Sequence, residues 1–270
     1  MPISDQPSSL AITKRIAELL ARGEVGVVVT VVSGPNVGAK VLIDQAGNVF
    51  GTFGELDSVV AEQAAKFLAS RDDTRLQDLA DSTASVRDQK LLFERLQPQP
   101  RLVVCGAGHV GASLARLGVF LGYQTTLIDD RTEFLERDRF GSEPIDLVVA
   151  NDWGTAVRDV IGNGRGVSVA VVTRGHSEDE QCMRAVIQST PDYAGMIGSK
   201  RRTSIVIERL RETGIPEESL RHIHAPIGLD IGAVSPEEVA LAIMAEIVAQ
   251  RRGGTGAPLS AWRRKGTGKW

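Results

Sequence analysis

RLVVCGAGHVG, residues Arg101–Gly111, decides the fold. An apolar run of strand length, Arg101 to Cys105, enters a turn with glycine at 106, 108 and 111, and a helical pattern follows from Val110 to Leu121. This is G-x-G-x-x-G in the setting that gives it meaning: after a strand and at the start of a helix. Each glycine has a separate job. Gly106 permits the tight turn, Gly108 lets a phosphate approach the backbone, and Gly111 lets helix and strand pack closely. The helix start offers unpaired N–H groups and the positive end of its dipole to an anion, with His109 at its head.

Downstream, strand and helix alternate. Strands are expected at Thr125–Ile128, Asp146–Ala150, Val167–Thr173, Tyr193–Ile197 and, in brief, His222–His224. Helices are expected at Glu178–Gln188, Arg202–Thr213 and Ser235–Gln250. The last is the clearest, with Ser235 as N-cap, Pro236 at the first helical position and Glu238 completing a capping box. Repeated βα units with near-continuous apolar strands predict an α/β fold, a Rossmann-like doubly wound parallel sheet.

Upstream the pattern is different. A helix over Ser8–Arg22, a strand over Val25–Val32, a hairpin of Lys40–Asp44 with Val49–Phe53, a helix over Leu56–Ser70 and a strand over Lys90–Leu96 make a smaller N-terminal α+β domain. Arg71–Gln89 is polar and reads as a linker or irregular edge. Two prolines in Gln97-Pro98-Gln99-Pro100 break both helix and ladder. The expected division is therefore 1–97 for the N-terminal domain, 98–252 for the Rossmann-like domain and 253–270 for a basic, disordered tail carrying Trp262 and Trp270.

Composition limits the function. With 270 residues, 42% hydrophobic and 24% charged, the chain has material for a real core. A net charge of −3 argues against nucleic acid as a partner. No apolar run reaches the ~18 residues of a membrane span, and the polar N-terminus lacks the pattern of a secretory signal, so a cytoplasmic protein is expected. Cys105 and Cys182 form neither a disulfide framework nor a metal spacing, so no metal site is expected; the default for each is a buried, inert thiol.

Ligands of open α/β sheets bind beyond the carboxyl ends of the strands. Candidate residues collect there. Asp129, 18 residues after Gly111, stands where a carboxylate holds a ribose, with Asp130 beside it. Arg131 can pair with Asp129 or accept a 2′-phosphate, which leaves NAD and NADP both open. His176, in Thr173-Arg174-Gly175-His176, is a candidate base or ligand, or a surface residue opening the next helix. Gly198, Ser199, Lys200 and Arg201 form a turn with cations at a helix start, suited to an anion or simply a solvated basic face. Gly228 and Asp230 lie in a glycine-rich loop leading into the capped helix.

Taken together, GAGHVG (106–111), Asp129-Asp130-Arg131, YAGMIGSKRR (193–202) and APIGLDIGA (225–233) followed by Ser235-Pro236-Glu237-Glu238 resemble the XdhC/CoxI family from Pro100 to about Arg252. Gly38-Ala39-Lys40 and Gly51-Thr52-Phe53-Gly54 resemble its N-terminal domain. The resemblance implies an accessory protein that binds the molybdenum cofactor (molybdopterin), protects it during sulfuration and inserts it into a molybdenum hydroxylase such as xanthine dehydrogenase or CO dehydrogenase. Its implied partners are that client and a cysteine desulfurase; a homodimer is the expected assembly. The chain departs from the family pattern at three places: Ser33–Val37 is shorter than the usual stretch, Gly54-Glu55-Leu56 stands where Gly-Gly-Cys is frequent, and Arg174 stands where His is usual. The competing expectation is an NAD(P)-dependent oxidoreductase using the same crevice. It has only His176 as an acid–base candidate, and so ranks below a non-catalytic chaperone.

Overall fold

The computed structural model describes residues 8–70, 72–78 and 89–260. Trp262 and Trp270 of the basic tail, and most of the expected 71–89 linker, lie outside the described residues. Two compact units form, Met1–Pro98 and Gln99–Trp270.

In the second unit β6 (Arg101–Cys105), β7 (Gln124–Asp129), β8 (Ile145–Val149), β9 (Val167–Val171), β10 (Tyr193–Met196) and β11 (Ile223–His224) make one sheet in the order β11-β10-β9-β6-β7-β8. All five pairings are parallel. The apolar runs are explained by burial on both faces: Val167, Val169 and Val171 point one way, Leu102, Val104 and Ala170 the other, all with no exposed surface. Each of these valines and Leu102 contributes ~1.5–3 kcal/mol against leaving it in water.

Helices α3 (His109–Phe120) and α8 (Pro236–Arg252) cover one face, together with two 3₁₀ turns at Thr132–Phe134 and Arg137–Arg139. Helices α4 (Trp153–Ile161), α5 (His176–Ser189), α6 (Lys200–Glu212) and α7 (Glu217–Arg221) cover the other. The sheet is thus doubly wound. Winding reverses between β6 and β9, which makes the gap above these neighbouring strands the switch point. The Ser235–Glu238 capping box forms in full at the start of α8.

The first unit is antiparallel. Strands β1 (Gly26–Ser33), β2 (Lys40–Asp44), β3 (Val49–Phe50), β4 (Thr74–Asp78) and β5 (Lys90–Leu96) run in the order β3-β2-β1-β5-β4. Helix α2 (Asp57–Ala69) packs on one face through Val60, Ala64 and Phe67, and α1 (Ser9–Ala21) on the other through Leu19.

Four elements differ from the sequence reading. Within Arg71–Gln89, Thr74–Asp78 is a strand rather than a linker. It pairs along its whole length with β5 as an edge strand, and its alternating, largely exposed polar side chains hide it from an apolar pattern. The hairpin's second strand stops at Phe50, and Thr52 to Asp57 turns into α2. There the Asp57 carboxylate accepts the Thr52 hydroxyl at 2.6 Å and the Phe53 N–H. Helices α4 and α7 were not expected. The first is capped by Asp152, which accepts from Thr155 N–H at 2.8 Å, and buries Trp153, Val157 and Ile161.

Candidate functional site

The parallel sheet brings the ends of β6, β7, β9, β10 and β11 to one edge, and with them the turns and loops that carry the candidate binding residues. The glycine turn after β6 is built as its sequence requires. Gly106 has φ +113°, and a Cβ there would sit 2.6 Å from the Val172 carbonyl oxygen at the end of β9. A Cβ on Gly111 would sit 1.8 Å from the Gly106 carbonyl oxygen, so helix α3 lies directly on the turn. Gly108 is the opposite case. It is the N-cap of α3, makes no side-chain cap, and a Cβ there would meet nothing within 4 Å. His109 follows it, exposed.

Asp129 is only 1% exposed. Its carboxylate accepts from the Ala107 N–H at 2.6 Å, from the Arg131 N–H at 3.0 Å and from the Arg131 guanidinium at 2.9 and 3.0 Å. Burial pushes this carboxyl up, but the Arg131 guanidinium and the two backbone N–H groups outweigh it and hold it below the usual range. The carboxylate therefore locks the glycine turn to the end of β7 from beneath. Arg131 lies over the Phe134 ring, 3.7 Å from its centroid. Asp130 is the acid that reaches the surface. It pairs with Arg174 at 2.8 Å and stands 3.8 Å from Arg131.

His176 opens α5 and is exposed. The buried group there is Asp179, in the first turn of α5, to which the sequence reading gave no role. It has no exposed surface, accepts the Thr173 hydroxyl at 2.5 Å, and takes the Arg202 guanidinium at 2.9 and 2.5 Å. Here burial dominates and pushes the carboxyl up, against the pull of Thr173 and Arg202. The pair ties the start of α5 to the start of α6. On α6, Ser199 is the N-cap and accepts from Arg202 N–H at 3.2 Å. Gly198 precedes it with φ +148°. Lys200 and Arg201 stand exposed, with no ion pair among the described residues.

The β11 loop is held by another unforeseen residue, Glu246 of α8. It accepts the Gly228 N–H at 2.8 Å and the Tyr193 hydroxyl at 2.5 Å, and lies 3.2 Å from His224 Nδ1. Asp230 projects from this loop into solvent. Cys105 and Cys182 are both fully buried, and burial raises the Cys182 thiol well above its ordinary range. Among the described residues no cluster of His, Cys, Asp and Glu could hold a metal ion, and no helix is long and apolar enough to cross a membrane.

Residues 102–247 match the family model of the XdhC Rossmann domain, more than half of the chain. The chain is 32% identical over 151 residues to the uncharacterized protein YqeB of Escherichia coli K12, a match covering 56% of this chain and 27% of that protein. It is 26% identical over 186 residues to a Bacillus subtilis protein named as a probable subunit of xanthine dehydrogenase, covering 67% of this chain and 53% of that one. The matches thus span about a quarter and about half of these relatives' lengths. A crystal structure described as a xanthine dehydrogenase from Bacillus halodurans shares the fold. Its TM-score is 0.64 at 21% identity, with 90% of this chain and 67% of that one covered.

Proposed function

The chain belongs to the XdhC family, and from that premise we propose that it is an accessory protein of a xanthine dehydrogenase-type molybdenum hydroxylase, one that binds the molybdenum cofactor by its phosphate-bearing tail and passes it to the client. The carrying observation is the open place at Gly108. The turn around it is packed to its limit at Gly106 and Gly111, yet the N-cap position where a serine would fit is left bare in front of α3. A phosphate set there meets helix N–H groups and the positive dipole end. Lys200 and Arg201, exposed at the same sheet edge and free of ion pairs among the described residues, add charge of the right sign.

The donor set suits the anionic tail of a pterin or pterin dinucleotide better than its metal. When bound, the group supplies molybdenum redox chemistry to the client enzyme. This chain's own residues orient the tail: the glycine turn through its backbone, Ser199 to Arg201 through the start of α6, and Gly228 through a loop pinned by Glu246. Neither cysteine is accessible, so we assign sulfur delivery to a partner cysteine desulfurase.

Anaerobic ultrafiltration of the chain with freshly released molybdenum cofactor, with excess NAD(H) as competitor, tests this. Retention that NAD(H) does not displace, lost in Gly108→Asp, is the expected outcome. Saturable NAD(H) binding without pterin retention would replace the chaperone by an NAD(P)-dependent oxidoreductase.

A further inference from the structure

The Asp130–Arg174 ion pair spans the switch point. Strand β6 lies between β7 and β9. Neighbouring strands are ~4.8 Å apart, so the outer two are separated by roughly 10 Å. Asp130 directly follows the last residue of β7, and Arg174 stands three residues beyond the end of β9. Their side chains meet at 2.8 Å. A bridge between these two strand ends passes over the end of β6, on which the glycine turn is built.

We propose that Arg174 is an anion-recognition residue of this crevice, that Asp130 occupies it in the free protein, and that a diphosphate group takes Asp130's place. The inference rests on the reading of the crevice as a phosphate site.

Three observations support it. First, the pair faces water, with side chains 48% and 30% exposed, whereas the carboxylates that hold Arg131 and Arg202, Asp129 and Asp179, are 1% and 0% exposed. An exposed pair favours its closed form by a factor of only ~5 at most. Asp130 holds Arg174 by a single hydrogen bond, whereas a diphosphate brings more charge and can take the guanidinium fork through two. Exchange of partners is therefore downhill at Arg174 and uphill at Arg131 or Arg202. Second, the remaining acid near Arg174, Glu178, is at 3.4 Å in the first turn of the following helix α5, so it steadies the guanidinium without tying it across the crevice. Third, Asp130 has a second cation within reach, Arg131 at 3.8 Å, which receives it when Arg174 leaves.

The competition gives the two partners opposite signs. Titration calorimetry at low ionic strength with inorganic pyrophosphate reads them directly. Asp130→Asn is expected to tighten binding up to ~5-fold, the grip of an exposed pair. Arg174→Gln is expected to weaken it ~10-fold or more, the loss of a charged hydrogen bond. In the Arg174→Gln background Asp130→Asn should tighten binding less than it does in the unaltered chain, because only the through-space repulsion of the carboxylate is then left to remove. Arg174→Lys should recover part of the loss as a point charge without the fork. Pyrophosphate carries no ribose, so a ribose-holding role for Asp130 gives no tightening. Unchanged or weaker binding in Asp130→Asn, with Gly108→Asp still abolishing it, overturns the inference and leaves the phosphate site standing. Absence of binding in both the unaltered chain and Asp130→Asn overturns the two together.

Discussion

The turn after β6 and the turn after β10 stand at the same edge of one sheet, and each leads a helix toward the crevice. Each also rests on a buried carboxylate paired with an arginine, Asp129 with Arg131 and Asp179 with Arg202. The carboxyls nevertheless shift in opposite directions. Donor type explains it. Asp129 takes two backbone N–H groups besides its guanidinium, and these donors are fixed by the fold and carry no desolvated charge of their own. Asp179 takes only side-chain donors, a hydroxyl and a guanidinium, at a site with no exposed surface. The first carboxylate belongs to the scaffold of its turn. The second is a clamp between the starts of two helices, α5 and α6, formed at a larger desolvation cost.

The glycines give the largest expected contrast. Gly106→Ala forces a Cβ to 2.6 Å from backbone at φ +113°, where nothing can yield. Gly198→Ala is also strained, at φ +148°, but its nearest neighbours are the Arg202 and Thr203 side chains, at 3.2–3.3 Å, rather than backbone. Urea denaturation should show losses of ~3 kcal/mol and ~1 kcal/mol respectively. Equal losses would mean the two turns are equally rigid and would break the contrast.

The carboxylates come next. Asp129→Asn leaves Arg131 and a buried N–H short of a full acceptor, at about 2 kcal/mol. Asp179→Asn likewise leaves Arg202 without its partner but removes a charge that burial already opposes, and should cost less than Asp129→Asn. The pH dependence sharpens this. Asp129 has a folded value below its unfolded one, about 3.9. Its contribution is complete above that pH and is lost as pH falls through the folded value. Asp179 is raised, so its ionised form carries a penalty that is absent below about pH 4 and grows as pH rises through the folded value. Urea midpoints between pH 3 and pH 7 should therefore show a shallower acid limb in Asp129→Asn and a steeper gain with pH in Asp179→Asn. The same slope in both variants would refute the opposite shifts.

Local pattern accounts for what the sequence revealed. The apolar runs of β6 and β9 and the Ser-Pro-Glu-Glu start of α8 announce themselves within a few residues, and so does the glycine turn. Strand β4 does not, because its single large apolar residue, Leu76, is 59% exposed and its place is set by the backbone of β5. Helix α4 was readable: Trp153, Val157 and Ile161 recur at helical spacing, behind an Asp152 cap. The clamps were not. Arg202 meets Asp179 across 23 positions and Glu246 meets Tyr193 across 53, and only the folded sheet brings them together. Asp129 was readable as an acid at a strand end, but not as one turned inward beneath Ala107.

The smallest expected effect separates folding from function most cleanly. At the start of α6 the N-cap is Ser199, whose hydroxyl satisfies the Arg202 N–H. At the start of α3 the N-cap is Gly108, in extended geometry at φ −65°, with open space where a side chain would go. Nothing in the backbone prevents a serine there, and serine is the better cap, though only by a few tenths of a kcal/mol. Gly108→Ser should therefore melt at the same temperature or slightly higher. Its hydroxyl would take up an N–H at the head of α3 and fill the space a phosphate needs, so retention of the pterin tail should fall. A variant that gains stability and loses ligand would mark the bare cap as a functional feature. A variant that keeps its ligand would make the two helix starts equivalent, and the anion would then have to be sought at Ser199–Arg201.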